Sequence, residues 1–225
     1  MRDLLEKVGQ SRADLMHAIN DIRRQYRKTL SENRRHLLEQ YQVQDFARKV
    51  VGVGSVGTRC FALLLASACN PDDVLILQMK EATRSVIEEV IPDSPKFSQH
   101  AERVVAGQRI LQAQTDIFLG HSGGMEAGRS FYWRQMKDMK GAVVVDKLKA
   151  VKLAQYARIC GWTLARAHCK SANNNGRALA YYLGETDEFD RAILQFANAY
   201  SRVNKEDYEK FVEAVNTGRI EAIIE

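Results

Sequence analysis

Two features of the chain could do chemistry together. Gly52-Val53-Gly54-Ser55-Val56-Gly57 is a G-x-G-x-x-G that directly follows an apolar run, and Lys80 closes the apolar stretch Val74 to Met79 further along. Glycines at this spacing let the backbone turn tightly and bring its N–H groups against a phosphate, which side chains larger than hydrogen would hold off. Three readings compete. In a dinucleotide-binding βαβ unit the stretch Cys60 to Ala68 is the helix that receives the pyrophosphate of NAD or FAD, VLILQM is the second strand and Glu81 is the ribose acid. In a kinase-like fold the glycines sit at the tip of a β-hairpin over ATP phosphates, Phe61 to Leu65 is the return strand, and Lys80 is the strand lysine that contacts those phosphates. In the third reading the glycines are only a turn.

Lys80 favours the second. Leu75, Leu77 and Met79 alternate with Val74, Ile76 and Gln78, so the strand delivers a cation beside an apolar sheet. Glu88 is a candidate carboxylate to hold it, with Glu81 and Glu102 as competitors. The nucleotide-binding residues expected on this reading are Gly52, Gly54, Ser55, Gly57 and Lys80. A phosphotransferase also needs a catalytic Asp followed by a metal-binding Asn, and a further metal-binding Asp. No H-x-D or H-G-D occurs in these 225 residues. His168 precedes Asn173, Asn174 and Asn175 with no Asp between, so it reads as a helix-end histidine. No catalytic residue and no metal ligand is assigned: His17, His36, His100 and His121 lack any ligand spacing, and Cys60, Cys69, Cys160 and Cys169 form no C-x-x-C pair.

The elements that must position these residues follow from periodicity. Apolar residues from Leu4 to Tyr41 recur mostly at three and four, with Ser31 as an N-cap, which predicts two helices. Residues 50 to 80 are glycine-punctuated and rich in buried-strand composition. A short helix spans Ser85 to Val90, and Pro71, Pro92 and Pro95 all fall in this central region. Gln99 to Gln114 carries a helical stripe. DIFLG and SFYWRQM predict two strands around the loop HSGGMEAG. From Asp146 onward the pattern is helical, near 147–168, 176–183, 187–203 and 205–215, with Tyr156, Trp162 and Leu164 expected in the core. Sheet in the middle and helices on either side give an α+β chain with a small antiparallel sheet. A Rossmann fold needs further βα units that the helical second half does not offer. The expected organisation is a helical segment 1–48, a glycine-loop sheet subdomain 49–141 and a helical subdomain 142–225.

Composition narrows the classes. With 45% apolar and 27% charged residues a core can be buried, and disordered or disulfide-stapled chains are excluded. The longest apolar-rich run, Phe61 to Ala68, falls far short of the roughly 20 residues of a membrane span, and the N-terminus lacks a secretory h-region. A cytoplasmic protein without a membrane partner is expected. Of the net charge of +5, most lies in residues 1–50, which hold eleven Lys/Arg against seven Asp/Glu. Arg23, Arg24 and Arg27 on that basic segment define a non-catalytic alternative, a binding module for nucleic acid or a protein partner. Their interspersion with Ile22 and Tyr26 fits a solvated helix face better, so nucleic acid is not the expected partner.

The blocks ARKVVGVGSVGTRC, LILQMKEA, RVVAGQRILQAQTDIFLG, FYWRQMKDMKG and YARICGWTLARAH, in order over roughly residues 23 to 225, resemble the C-terminal half of the bacterial family called domain of unknown function 2252. Complete members are about twice as long, and their N-terminal half carries G-D-x-H-x-x-N and D-x-N-D-F-D blocks similar to those of aminoglycoside phosphotransferases. The resemblance implies a permuted, incomplete protein-kinase-like fold in which Gly52, Gly54, Ser55, Gly57 and Lys80 form the phosphate side and Arg134 to Gly141 a hinge. It implies ATP as the ligand, with Mg supplied by the half that bears the catalytic acids. The implied partners are that half or, where its docking face stays uncovered, a second copy of the chain.

Overall fold

A computed structural model describes residues 12–49, 52, 56–91, 96–137, 141–171 and 176–222. It is α+β, with one five-stranded antiparallel sheet and six α-helices among the described residues. In chain order these are α1 (Arg12–Lys28), α2 (Glu32–Glu39), β1 (Tyr41–Arg48), β2 (Cys60–Ser67), β3 (Val74–Ala82), α3 (His100–Leu111), β4 (Gly120–Gly123), β5 (Ser130–Gln135), α4 (Ala150–Ser171), α5 (Gly176–Leu183) and α6 (Glu188–Asn216). One turn of 3-10 helix, Val86–Glu89, stands where the short helix was expected and is closed by a capping box between Ser85 and Glu88.

The sheet order is β1-β2-β3-β5-β4. Side chains alternate between its faces. On one face the rows Phe46–Leu63–Leu77 and Phe61–Met79–Trp133 run across the strands, and all six residues are buried. Ile19, Ile22 and Tyr26, at the three-and-four spacing of α1, and Leu30 just after it close this core. Tyr26 is fully buried. It stacks on Trp133 with ring centroids 4.5 Å apart and donates its hydroxyl to the Phe118 carbonyl at 2.6 Å.

The same region caps the β4 edge, whose backbone groups would otherwise be unpaired. Thr29 Oγ1 accepts from the His121 N–H at 3.0 Å, Gln25 Oε1 accepts from the Gly123 N–H at 3.3 Å, and Arg109 donates to the Leu119 carbonyl at 2.9 Å. The approach requires Gly120, because a Cβ there would stand 2.6 Å from Thr29 Oγ1 and 2.7 Å from the Tyr26 ring. A residue with no strand propensity therefore sits in a strand for packing reasons.

Three expectations about element bounds need correction. Tyr41 ends no helix: it starts β1, so the sheet reaches back into the segment taken as helical. A register shift between Val43 and Asp45 breaks the alternation that would have betrayed the strand. DIFLG is mostly turn, with β4 beginning at its last residue, Gly120. Residues 188–216 form one continuous helix rather than two.

The chain divides into two compact units, residues 1–167 and 168–225. The first holds the sheet. The second holds the last turn of α4 with α5 and α6, where Tyr182 meets Phe189 edge-on at 6.0 Å. Tyr156, Trp162 and Leu164 on α4 are exposed rather than core residues. No helix among the described residues is long and apolar enough to cross a membrane.

Candidate functional site

The glycine-rich stretch joins β1 to β2, which pair antiparallel from Tyr41↔Ser67 to Arg48↔Phe61. The Lys49 N–H donates to the Cys60 carbonyl at 2.8 Å and carries the ladder one step further, so Gly52 and Gly57 fall in the connection between two paired antiparallel strands. The residues after them are strand β2, and the helix required by a βαβ unit does not form. Gly57 has φ +81°, the left-handed conformation that glycine adopts without strain, and is exposed. Gly52 is exposed, with open space where a Cβ would go. Gly54 and Ser55 lie outside the described residues.

Register brings Lys80 to this loop. It is half-buried and pairs with Cys60 on one side and Tyr132 on the other, giving the row Lys49, Cys60, Lys80, Tyr132, His121 on the face opposite the α1 core. The neighbouring row on that face is Ala47, Ala62, Gln78, Arg134. Arg134 grips the buried Gln78 through two N–H groups on one oxygen, at 3.1 and 2.9 Å. Lys49 Nζ reaches Met136 Sδ at 3.5 Å although two strands separate β1 from β5, so this face curves inward. Among the described residues no carboxylate stands within ion-pair distance of Lys49, Lys80 or Arg134. Lys49 and Lys80 share the row next to the glycine stretch and Arg134 stands one row further along on β5, so three cations lie on one face of the sheet.

The carboxylates considered for Lys80 are engaged elsewhere. Glu88 pairs with Arg84 at 3.6 Å and Arg103 at 3.5 Å. Glu81 points to the other face and meets Arg59 and Arg129. Glu102 accepts from the Ser98 hydroxyl at 2.6 Å, which holds its carboxyl below the ordinary range. Along the same face toward β1, Ala47, Ala62, Leu64 and Ile76 make a shelf of small and aliphatic side chains that are exposed or half-buried.

The thiol of Cys60 is buried in this row. Burial pushes its pKa up, and the opposing pull of Lys80, Lys49 and Arg134 does not overcome it. Burial likewise raises Tyr132 against the field of Arg134. Both stay protonated at neutral pH and can only donate or pack. No three of His, Cys, Asp and Glu among the described residues gather as a metal site.

Several arginines of the basic first segment have partners within it. Arg23 donates to the carbonyls of Leu38, at 2.9 Å, and Tyr41; Arg24 pairs with Asp21; Arg27 pairs with Glu39; Arg35 donates to the Arg27 and Leu30 carbonyls at 3.2 and 3.3 Å. Of these, Arg23, Arg27 and Arg35 tie α1 to α2 and β1.

Sequence reasoning missed Lys49, Gln78, Tyr132 and Arg134 as companions of Lys80. The alternation in SFYWRQ puts Tyr132 and Arg134 on one face, but only strand order and register put that face beside Lys80. No curated protein and no solved structure matches the chain. A family model described as an uncharacterized protein conserved in bacteria (DUF2252) matches residues 1–214, and the chain belongs to that family.

Proposed function

We propose that this face binds a nucleoside polyphosphate in the manner of a kinase-like nucleotide cradle. The observation that carries the reading is the register Lys49–Cys60–Lys80: the lysine at the end of β3 stands beside the stem of the glycine hairpin with no carboxylate to neutralise it. An anion beside Gly52 and Gly57 would receive charge from Lys80, with Lys49 and Arg134 adding to the field. Arg134, already tied to Gln78, has N–H groups left over after its two bonds to that amide.

The shelf of Ala47, Ala62, Leu64 and Ile76 supports a heterocycle rather than a bare phosphate, because small and aliphatic side chains let a flat ring lie against the sheet. A ligand with an apolar ring and a polyanionic tail matches both halves, and ATP is such a ligand. Phosphoryl transfer further needs a catalytic Asp and carboxylates for Mg. These residues contain no such block, so the proposed role is nucleotide holding, with the acids supplied by another polypeptide or a further part of the protein.

Calorimetry with ATP, ADP, adenosine and NAD tests the reading. ATP and ADP are expected to bind, adenosine more weakly, and Lys80→Ala to weaken ATP far more than adenosine. Absence of ATP and ADP binding, both alone and after mixing with a polypeptide that carries the catalytic blocks, would contradict it.

A further inference from the structure

α6 lies wholly within the second unit, residues 168–225. Along it Phe189, Ile193, Phe196, Tyr200 and Val203 follow one another at steps of four, three, four and three, each 37–63% exposed. Steps of this kind average close to one helical turn per pair of neighbours, so the side chains form one seam along the axis, with the period of a two-helix coiled coil. Asp207 stands at the next position of the seam and ends it. At its middle Phe196 and Tyr200 are already stacked, with ring centroids 5.6 Å apart and planes 10° from parallel. A contact there therefore fixes side chains that have little freedom left to lose.

The seam fits its own copy turned end for end. The steps read in reverse are three, four, three and four, so two antiparallel seams interdigitate: Phe196 of each copy meets Tyr200 of the other, and Ile193 meets Val203. Four aromatic rings then gather at the two-fold axis, where the energy of an interface concentrates. One flank of the seam carries Glu188, Ala192, Ala199, Glu206 and Lys210, and the other Asp190, Ala197 and Asn204. In the same register Ala197 meets Ala197 and Ala199 meets Ala199, which lets the backbones come close, while Glu188 faces Lys210 and Asp190 faces Asn204. Lys210 is held at home only by Asp207 at 3.7 Å, an exposed pair that exchanges partners at little cost. A parallel pairing would instead bring the acidic first turns of the two helices, with Glu188 and Asp190, against each other.

We infer that α6 is a homodimerisation helix whose seam pairs antiparallel with α6 of a second copy of the chain. Large side chains carry roughly 200 Å² each, so at their exposures the seam residues offer roughly 500 Å² per copy and about 1,000 Å² in all, the lower limit of a specific interface. The dimer is weak and dissociates on dilution. It stands independently of the nucleotide reading, which concerns the first unit.

Sedimentation equilibrium of the full chain over a concentration series up to about 1 mM tests this. The mass should rise from that of one chain toward that of two and stop there, because a two-fold contact closes on itself. Phe196→Glu and Val203→Lys, both on the exposed seam, should each hold the chain at the monomer mass with its helical circular dichroism unchanged. At low salt Glu188→Lys and Lys210→Glu should each weaken association roughly two- to tenfold, since each dimer holds that pair twice, and the double reversal should restore it. A chain that stays monomeric throughout, or an association that survives both seam variants, would overturn the seam as the interface. A double reversal no stronger than the single ones would overturn the antiparallel pairing.

Discussion

His121 shows how position overrides residue type. It lies in the Lys80 row, yet α3 covers it: burial and the nearby Arg109 disfavour its charged form while Glu102 favours it, and the net shift is below the ordinary 6.5. Its Nδ1 has no partner among the described residues. The imidazole is therefore neutral in the folded protein near neutral pH. As pH falls below 6.5 the unfolded chain takes up the proton first, so stability is lost on acidification through that value and is fully present above it. The drop in melting temperature between pH 7.5 and 5.5 should be smaller in His121→Asn than in wild type; an equal drop would show that His121 does not carry it. Cys60, 1% exposed with a raised pKa, should resist iodoacetamide in the native state, while the exposed Cys69 and Cys160 react. Alkylation of Cys60 at their rate would contradict the packing of β2. Neither environment was legible beforehand. The histidine of HSGG looks like a loop residue until pairing places it in β4, and Cys60 reads as a strand residue whose depth only the packing shows.

Among the elements, α1 is the one on which the sheet depends most. It supplies Tyr26 to the core and cooperates with Thr29 to cap β4. Tyr26→Phe leaves the buried Phe118 carbonyl without its donor, at a cost of about 1–3 kcal/mol. Gly120→Ala forces a Cβ into Thr29 and the Tyr26 ring, at a cost of roughly 1–3 kcal/mol. Urea unfolding measures both, and values within about 0.5 kcal/mol of wild type, the range of ordinary surface substitutions, would contradict the capping arrangement. VLILQM at the centre of the sheet was legible as a strand, and CFALLLAS was read as a strand in the kinase-like reading and as a helix in the dinucleotide-binding one, the first of which its pairing with β3 matches. The edges were not. β1 hides behind a bulge, with Tyr41, Val43 and Phe46 spaced almost as in a helix, and β4 is Gly-His-Ser-Gly, a strand only because β5 pairs with it and α1 caps it. α6 read as two helices because Asn204 to Asp207 interrupts its apolar stripe, although its backbone continues unbroken.

At the scale of the whole molecule, the two units differ in how they dispose of apolar surface. The first buries Phe61, Leu63, Met79 and Trp133 under α1. In the second, Phe189, Ile193, Phe196, Tyr200 and Val203 recur at four and three along α6 and remain 37–63% exposed. A stripe of that kind is expected to find a partner. Light scattering of the purified chain should give a mass above 25.5 kDa that rises with concentration, and Phe196→Glu should lower it; a strictly monomeric sample would count against this expectation. The site itself was legible in outline only. The glycines and Lys80 were the readable part of the proposed cradle; Lys49 and Arg134 join them only through the antiparallel register of four strands, which places all three cations on one face.

The central claim, that the glycine hairpin and Lys80 form one nucleotide-phosphate site, is met most directly by an acyl-phosphate derivative of ATP. A lysine beside the bound phosphates attacks the acyl carbon, the nucleotide leaves as its phosphate, and a stable amide remains on Nζ. Mass spectrometry should find Lys80, with Lys49 as a secondary position, labelled ahead of the other lysines and protected by excess ATP. Labelling spread over exposed lysines, with Lys80 unmodified or unprotected by ATP, would contradict the account.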